Sequence, residues 1–483
     1  MSTTGTKQYE TELIVGGARR DASDGERIDV VDPATGEVFA NVASGSVQDG
    51  IAAVDAAEAA ATAWARTAPR LRAEILRQAW EIMMAREREV AELIVRENGK
   101  TLRDALAEAR YAAEFFRWYS EEAVRASGTL MTAPSGQNRI LVTHQPIGIS
   151  VLVTPWNFPA AMATRKIGPA LAAGCTCILK PASETPLTAL LIGQILEHAG
   201  VPAGVVNVVP SKRSGAVVSA MLHDPRVRKL SFTGSTEVGA RLLKEAADQI
   251  ISSSMELGGN APFIVFDDAD LDAAIAGAML AKMRNGGEAC TAANRFYVEK
   301  GIAPAFALGF TEAMANLLVG PGLDENVDLG PLVNEAGREK VEALVGGALG
   351  DGARLLTGGQ RLSRPGYFYP PTVVADVNPA SAILHDEIFG PVAPIVVFDG
   401  FDEAVRLANR TEYGLVAYVY TRDLAKGLAC AEAIDAGMIG LNRGLLSDPA
   451  APFGGTKQSG LGREGGHEGL LEFLESKYIA TNW

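Results

Sequence analysis

Cys290 stands in the run Asn285-Gly-Gly-Glu-Ala-Cys-Thr-Ala-Ala-Asn-Arg295, and Glu256 opens an earlier Glu-Leu-Gly-Gly turn. A thiolate can add to an electrophilic carbon, and a carboxylate on a glycine turn can later draw a proton from water to release the product. Taken singly, each residue has a bland reading: Cys290 as a small buried hydrophobe, Glu256 as a turn carboxylate. Other segments must decide between the two.

Three loops supply candidates. Thr154-Pro-Trp-Asn-Phe-Pro159 leaves the end of a predicted strand and precedes a helix, where an open α/β sheet places its ligands. Lys180-Pro-Ala-Ser183 follows the next strand and sets an ammonium and a hydroxyl at the same sheet edge, suited to ribose hydroxyls or a phosphate. In Ser231-Phe-Thr-Gly-Ser-Thr-Glu-Val-Gly239, Gly234 permits close backbone approach and the following helix N-terminus favours a pyrophosphate. Its glycine spacing departs from the dinucleotide fingerprint and also occurs in ordinary strand-to-helix turns.

The elements that must position these loops alternate. Residues 47–65 and 71–97 have helical composition, the second with apolar Leu71, Ile75, Ala79, Ile82 and Met83 and an Asn98-Gly99 stop. From residue 149 the rhythm becomes strand 149–153, helix 160–173 ended by Gly174, strand 175–179, helix 187–199 ended by Gly200, and strand 205–209. Such a series predicts a parallel sheet covered by helices. It resumes with strand 263–266 and helix 271–284 and runs on to a strand at 416–420, which predicts a second α/β unit.

Composition narrows the class. With 483 residues, 47% of them hydrophobic, the chain is about three typical domains long and can bury sizeable cores. A net charge of −14 disfavours nucleic acid as a partner. No apolar run approaches a membrane span, and Met1-Ser-Thr-Thr-Gly-Thr-Lys7 lacks a signal-peptide layout, so the expected location is cytoplasmic. The chain's 4 cysteines make no disulfide framework. Cys175 and Cys177, without a second pair and with only 5 histidines in the chain, predict packing and no metal site.

The loops acquire meaning from their order. Pro155-Trp-Asn-Phe-Pro159, Lys180-Pro-Ala-Ser183, Phe232-Thr-Gly-Ser235, Glu256-Leu-Gly-Gly259, the Cys290 segment, Glu387-Ile-Phe-Gly-Pro391 and Pro452-Phe-Gly-Gly455 together resemble the aldehyde dehydrogenase superfamily over nearly the whole chain. Glu256-Leu-Gly-Gly-Asn-Ala-Pro-Phe-Ile-Val-Phe-Asp-Asp-Ala-Asp270 and Lys457-Gln-Ser-Gly-Leu-Gly-Arg-Glu464 narrow the resemblance to its succinate-semialdehyde dehydrogenases. The implied fold is α/β, with two parallel-sheet domains. A Rossmann-like cofactor domain would span 1–127 and 148–256, a catalytic domain 257–455, and a bridging arm 128–147 and 456–483, with strand-like 477–481, would join subunits into dimers or tetramers.

The resemblance also implies roles. Cys290 would attack an aldehyde as a thiolate, its pKa lowered by an electropositive setting that includes a positive nicotinamide. The Asn157 amide and the Cys290 N–H would hold the oxyanion, and Glu256 would activate water against the thioester. Lys166 would relay protons, or else be a solvated helix lysine. Trp156 and Lys180 would hold the adenosine ribose, Gly234 and Ser235 the pyrophosphate, Leu257 the nicotinamide amide, and Glu387 the nicotinamide ribose. Ser183 stands where many NAD-using relatives carry a glutamate, which favours NADP while leaving NAD possible, with Lys212 and Arg213 as candidate extra cations. Arg165, Arg284 and Ser447 match residues that hold a substrate carboxylate, succinate semialdehyde first. The alternative for both arginines is pairing with protein carboxylates at domain seams.

Two departures stand out. Arg443 occupies a pocket-rim segment that is neutral or acidic in relatives, and Ala292 lacks a cysteine that some of them use for a reversible disulfide. Alternative functions are a glutarate-semialdehyde or broader dehydrogenase, a CoA-acylating enzyme, and a non-catalytic binding protein.

Overall fold

The computed structural model describes residues 9–482. The opening segment read above for a leader, and Trp483, lie outside the described residues.

Mostly buried strands, the most apolar of them Ile149–Val153, build the first sheet. Ile149–Val153, Cys177–Lys180, Val206–Val208, Val227–Thr233 and Ser252–Glu256 are mutually parallel neighbours in an 8-stranded sheet. Antiparallel strands Leu13–Val15 and Ala18–Arg20 extend one edge, and Gly460–Leu461 closes the other against Met255 and Glu256. The tail thus returns to the first sheet after the chain has built the second. The helix Pro159–Ala173 begins with proline at its first position and stops at Gly174 in the left-handed region, φ 97. Every residue between is buried, so its polar members must find partners inside the protein.

The second sheet has 7 strands in the order Arg354–Thr357, Thr372–Ala375, Val392–Phe398, Ala293–Glu299, Ala261–Val265, Val416–Tyr420, Met438–Leu441. All its neighbours are parallel except the first pair. A third, antiparallel sheet joins Leu474–Thr481, Arg139–Pro146 and Thr129–Thr132, and it exposes Leu130, Met131 and Tyr478. Among the described residues no helix is long and apolar enough to cross a membrane.

Two elements differ from the sequence reading. The helix expected over 71–97 breaks at Arg86 into Pro69–Ala85 and Glu87–Asn98. Buried Leu76, Ala79 and Met83 before the break and Val90, Ala91 and Ile94 after it continue one apolar stripe, so periodicity carried no mark of the kink. The helix Leu102–Glu122 was not read at all. Thr101 caps it by accepting from the Asp104 N–H, and it buries Phe115, Phe116 and Tyr119 against the Pro159–Ala173 helix.

Candidate active site

Cys290 follows a tight turn in which Asn285, Gly286 and Gly287 have φ of 57, 63 and 79. A side chain at Gly287 would place its Cβ 2.2 Å from the Gly390 carbonyl oxygen, so glycine is required there twice over, by conformation and by space. The turn lifts Cys290 to the junction of two cavities. One is a cleft of about 610 Å³ and the other a narrow tip pocket of about 10 Å³, and Cys290 lines both. Burial pushes the thiol up to about 12, against the pull of the Arg165 guanidinium. Among the protein's own groups, desolvation outweighs the two nearby arginines, Arg165 and Arg284; the expected lowering therefore needs the bound cofactor's charge.

Asn157 lines the same cleft. Its Nδ2 donates to the Glu288 carbonyl at 3.1 Å, and its own backbone carbonyl accepts from Lys100 Nζ at 2.7 Å and Asn285 Nδ2 at 2.9 Å. Glu288, two residues before Cys290, accepts from the Val333 N–H, and burial pushes it up to about 8.

Glu256 ends its strand with a buried carboxylate that has no hydrogen-bond partner on either oxygen among the described residues. A Cβ on Gly454 would lie 2.8 Å from Glu256 Oε1, so the carboxylate is seated against that glycine. Burial, then the charge of Glu464, hold Glu256 well above the usual carboxylate range. Lys166 is fully buried, which removes the solvated-lysine alternative. It donates to Ser231 Oγ at 3.0 Å and pairs with Glu464, and burial lowers its pKa. Burial works against ionised Glu464, yet Arg165 and Lys166 hold it below the usual range. Sequence reasoning quoted Glu464 only as the end of a motif. Its place depends on the Gly460–Leu461 pairing, which no spacing foretells.

The tip pocket gathers Arg165, Arg284 and Ser447 with Tyr111, Phe158 and Phe453. Arg165 is already engaged: it stacks on Phe453 at 4.3 Å, and its Nε lies 2.5 Å from Glu464 Oε2, out of line for a hydrogen bond. Arg284 stacks on Phe158 at 4.9 Å, donates weakly to Thr291 Oγ1 at 3.4 Å, and has no carboxylate partner among the described residues. Tyr111 comes from the helix that sequence reading missed. Arg443 is exposed, bonds the Leu445 carbonyl, and lines neither cavity. All cysteines of the chain are free, and Ala292 is buried.

Along the large cleft lie Trp156, Lys180, Ser183, Gly234, Ser235, Leu257 and Glu387. Lys180 donates to Ser214 Oγ at 2.7 Å, and burial lowers it to about 8. Ser235 caps the helix Thr236–Ala247 by accepting from the Val238 N–H. Glu387 accepts from the Gly259 N–H at 3.1 Å, and burial raises it to about 7. Glu184, which the sequence reading passed over, lines the cleft and accepts from Ser183 Oγ at 3.3 Å. Lys212 and Arg213 precede Ser214, which lines the cleft, but do not line it themselves, and Arg213 makes an exposed pair with Asp24. A cleft of this volume lined by a capped helix N-terminus, by Glu387 and by Lys180 fits a dinucleotide.

The aldehyde dehydrogenase family pattern matches residues 20–479. A succinate-semialdehyde dehydrogenase of Paenarthrobacter nicotinovorans is 54% identical over 442 residues, covering 92% of this chain and 98% of that protein. A glutarate-semialdehyde dehydrogenase of Pseudomonas aeruginosa is 45% identical over 473 residues, covering 98% of each. The solved structure of an Escherichia coli NADP-dependent enzyme superposes with a TM-score of 0.97 at 45% identity, covering 98% of each chain. The chain belongs to the aldehyde dehydrogenase family and is an oxidoreductase of that fold.

Proposed function

We propose that this enzyme oxidises succinate semialdehyde to succinate, using NADP in preference to NAD. The observation that carries the proposal is the position of Cys290, open on one side to the dinucleotide-sized cleft and on the other to a pocket where Arg284 has no protein carboxylate. A planar guanidinium suits a distal carboxylate, and Ser447 adds a hydroxyl beside it. The similar proteins act on four- and five-carbon semialdehydes, and the solved relative uses NADP.

In the proposed reaction the Cys290 thiolate adds to the aldehyde carbon, and the Asn157 amide with the Cys290 N–H holds the oxyanion, each donor contributing about 3 kcal/mol. A bound nicotinamide supplies the hydride acceptor and a positive charge near the thiol. Glu387, Gly234, Ser235 and Leu257 orient the dinucleotide, with Trp156, Lys180 and Ser183 at its adenosine end. Glu256 leaves its seat at Gly454 to take a proton from the water that hydrolyses the Cys290 thioester. Lys166 and Glu464 then carry that proton away. The presence of Glu256 disfavours the CoA-acylating alternative, in which the thioester must survive.

We also propose the division into cofactor domain, catalytic domain and arm given above, and self-association into dimers or tetramers through that arm, whose strands expose Leu130, Met131 and Tyr478. Free cysteines throughout fit a reducing, cytoplasmic setting. The test is a panel of succinate semialdehyde, glutarate semialdehyde and butanal, each with NAD and NADP. Succinate semialdehyde with NADP is expected to have the highest kcat/KM; equal rates with butanal would refute the carboxylate site.

A further inference from the structure

Between the helices Glu87–Asn98 and Leu102–Glu122, the chain makes a turn at Gly99, φ 94, that touches the loop carrying Asn157, one of the proposed oxyanion donors. From this turn Asn98 Nδ2 donates to the Trp156 carbonyl at 3.2 Å, and Lys100 Nζ donates to the Asn157 carbonyl at 2.7 Å. Lys100 also lies 4.3 Å from the centre of the Phe158 ring. Three consecutive residues of the donor loop are thus held from one turn.

The second partner of Lys100 is Glu108, at 2.5 Å, and both side chains are almost wholly inaccessible to solvent. Glu108 Oε1 in turn accepts from the Ala160 and Ala161 N–H groups at 2.9 and 3.3 Å, at the start of the helix that follows Asn157. Asp104, from the same stretch of chain, accepts from the Asn285 N–H at 3.0 Å. Asn285 then donates from Nδ2 to both the Asn157 and Glu288 carbonyls, tying the nucleophile turn to the donor loop. The catalytic half presses on the turn from outside: a Cβ on Gly322 would sit 2.1 Å from the Lys100 carbonyl oxygen, and Leu102 N–H donates to Gly322.

A buried ammonium shared between a carboxylate and one backbone carbonyl is costly to keep, and here it sits behind the loop that must be held to a fraction of an ångström. We infer that Lys100 is a positioning residue for the oxyanion hole, pinning the Asn157 loop through its carbonyl so that the Asn157 amide and the Cys290 N–H converge on one point. The inference rests on the reading of those two groups as oxyanion donors.

The test uses rapid mixing of the full-length enzyme with succinate semialdehyde and NADP, following the first turnover of reduced cofactor. Lys100→Met is measured alone and combined with Glu108→Gln, so that one variant leaves no unpaired buried carboxylate. Expected is a burst slower by about a hundredfold with the KM for NADP within about twofold of wild type. Combining Lys100→Met with Asn157→Ala should slow the burst no further than Asn157→Ala alone, because a misplaced donor and an absent one cost alike. A burst within about threefold of wild type in either folded variant overturns the inference, as do losses that multiply with Asn157→Ala or failure of both lysine variants to fold. A slow Asn157→Ala beside a fast Lys100→Met overturns the inference alone, whereas a fast Asn157→Ala removes the donor assignment and the inference with it.

Discussion

The cofactor cleft and the aldehyde tip meet at Cys290 but are built on opposite principles. The cleft is roomy, about 610 Å³, and its polar groups mostly hold one another lightly: Lys180 on Ser214, Ser183 on Glu184, Glu387 on a backbone N–H. The tip has about 10 Å³ and is walled by side chains already under strong mutual constraint. Arg165 is spent on Glu464 while Arg284 stacks on a ring with its fork unclaimed by any carboxylate. A large partner can be recognised by many weak groups along an open groove. A small one needs few groups, held hard. Specificity for the aldehyde should therefore be steep and reside in single residues, whereas cofactor preference should be graded and shared.

The sharpest break between the two regions is Cys290→Ala. Aldehyde oxidation should fall by about ten-thousandfold or more, since no other group forms the covalent bond, while NADPH affinity measured by fluorescence stays close to wild type. A variant that still turns over would remove the mechanism. Glu256→Gln should permit one burst of reduced cofactor and then slow steady turnover by about a thousandfold. The base works ionised and its pKa is raised by burial and Glu464, so wild-type turnover should decline as pH falls through a value above the usual carboxylate range. A pH–kcat profile lacking that limb would place the base elsewhere.

Within the tip, Arg284→Ala should lower kcat/KM for succinate semialdehyde by about a hundredfold and leave butanal nearly untouched, because butanal never engages the guanidinium. The same change at Arg165 should harm both aldehydes, since it also strips Glu464 of a partner and disturbs Lys166. Identical profiles for the two variants would erase the distinction drawn between them. Effects in the cleft should be smallest. Ser183→Glu should shift the NADP to NAD ratio of kcat/KM toward NAD by about tenfold through repulsion of the 2′-phosphate, and Glu184→Gln should shift it by about threefold the other way.

Parts of both large sheets could be read directly where their strands are apolar runs with both faces covered. Ile149–Val153 and Val416–Tyr420 fall at the bounds expected, and Gly174 stops its helix as expected. Leu102–Glu122 was legible too, since Leu102, Ala105, Ala109, Ala112, Phe116 and Tyr119 recur at helical spacing behind the Thr101 cap, yet it was not read. With it went Glu108 and Tyr111. The motif loops named the residues that line the cleft, but not which partner each would already have taken.

By itself the sequence pointed to Cys290, the loops at the strand ends and the family, since these reside in residue types and their order along the chain. Tertiary structure alone decided which charges were free. Glu464 reaches Arg165 and Lys166 only because Gly460–Leu461 pairs with the Ser252–Glu256 strand, and Lys100 reaches Asn157 only because a turn at Gly99 is pressed between two halves of the molecule. Ion pairing and burial act over a few ångströms in space, and no interval along the chain encodes that distance.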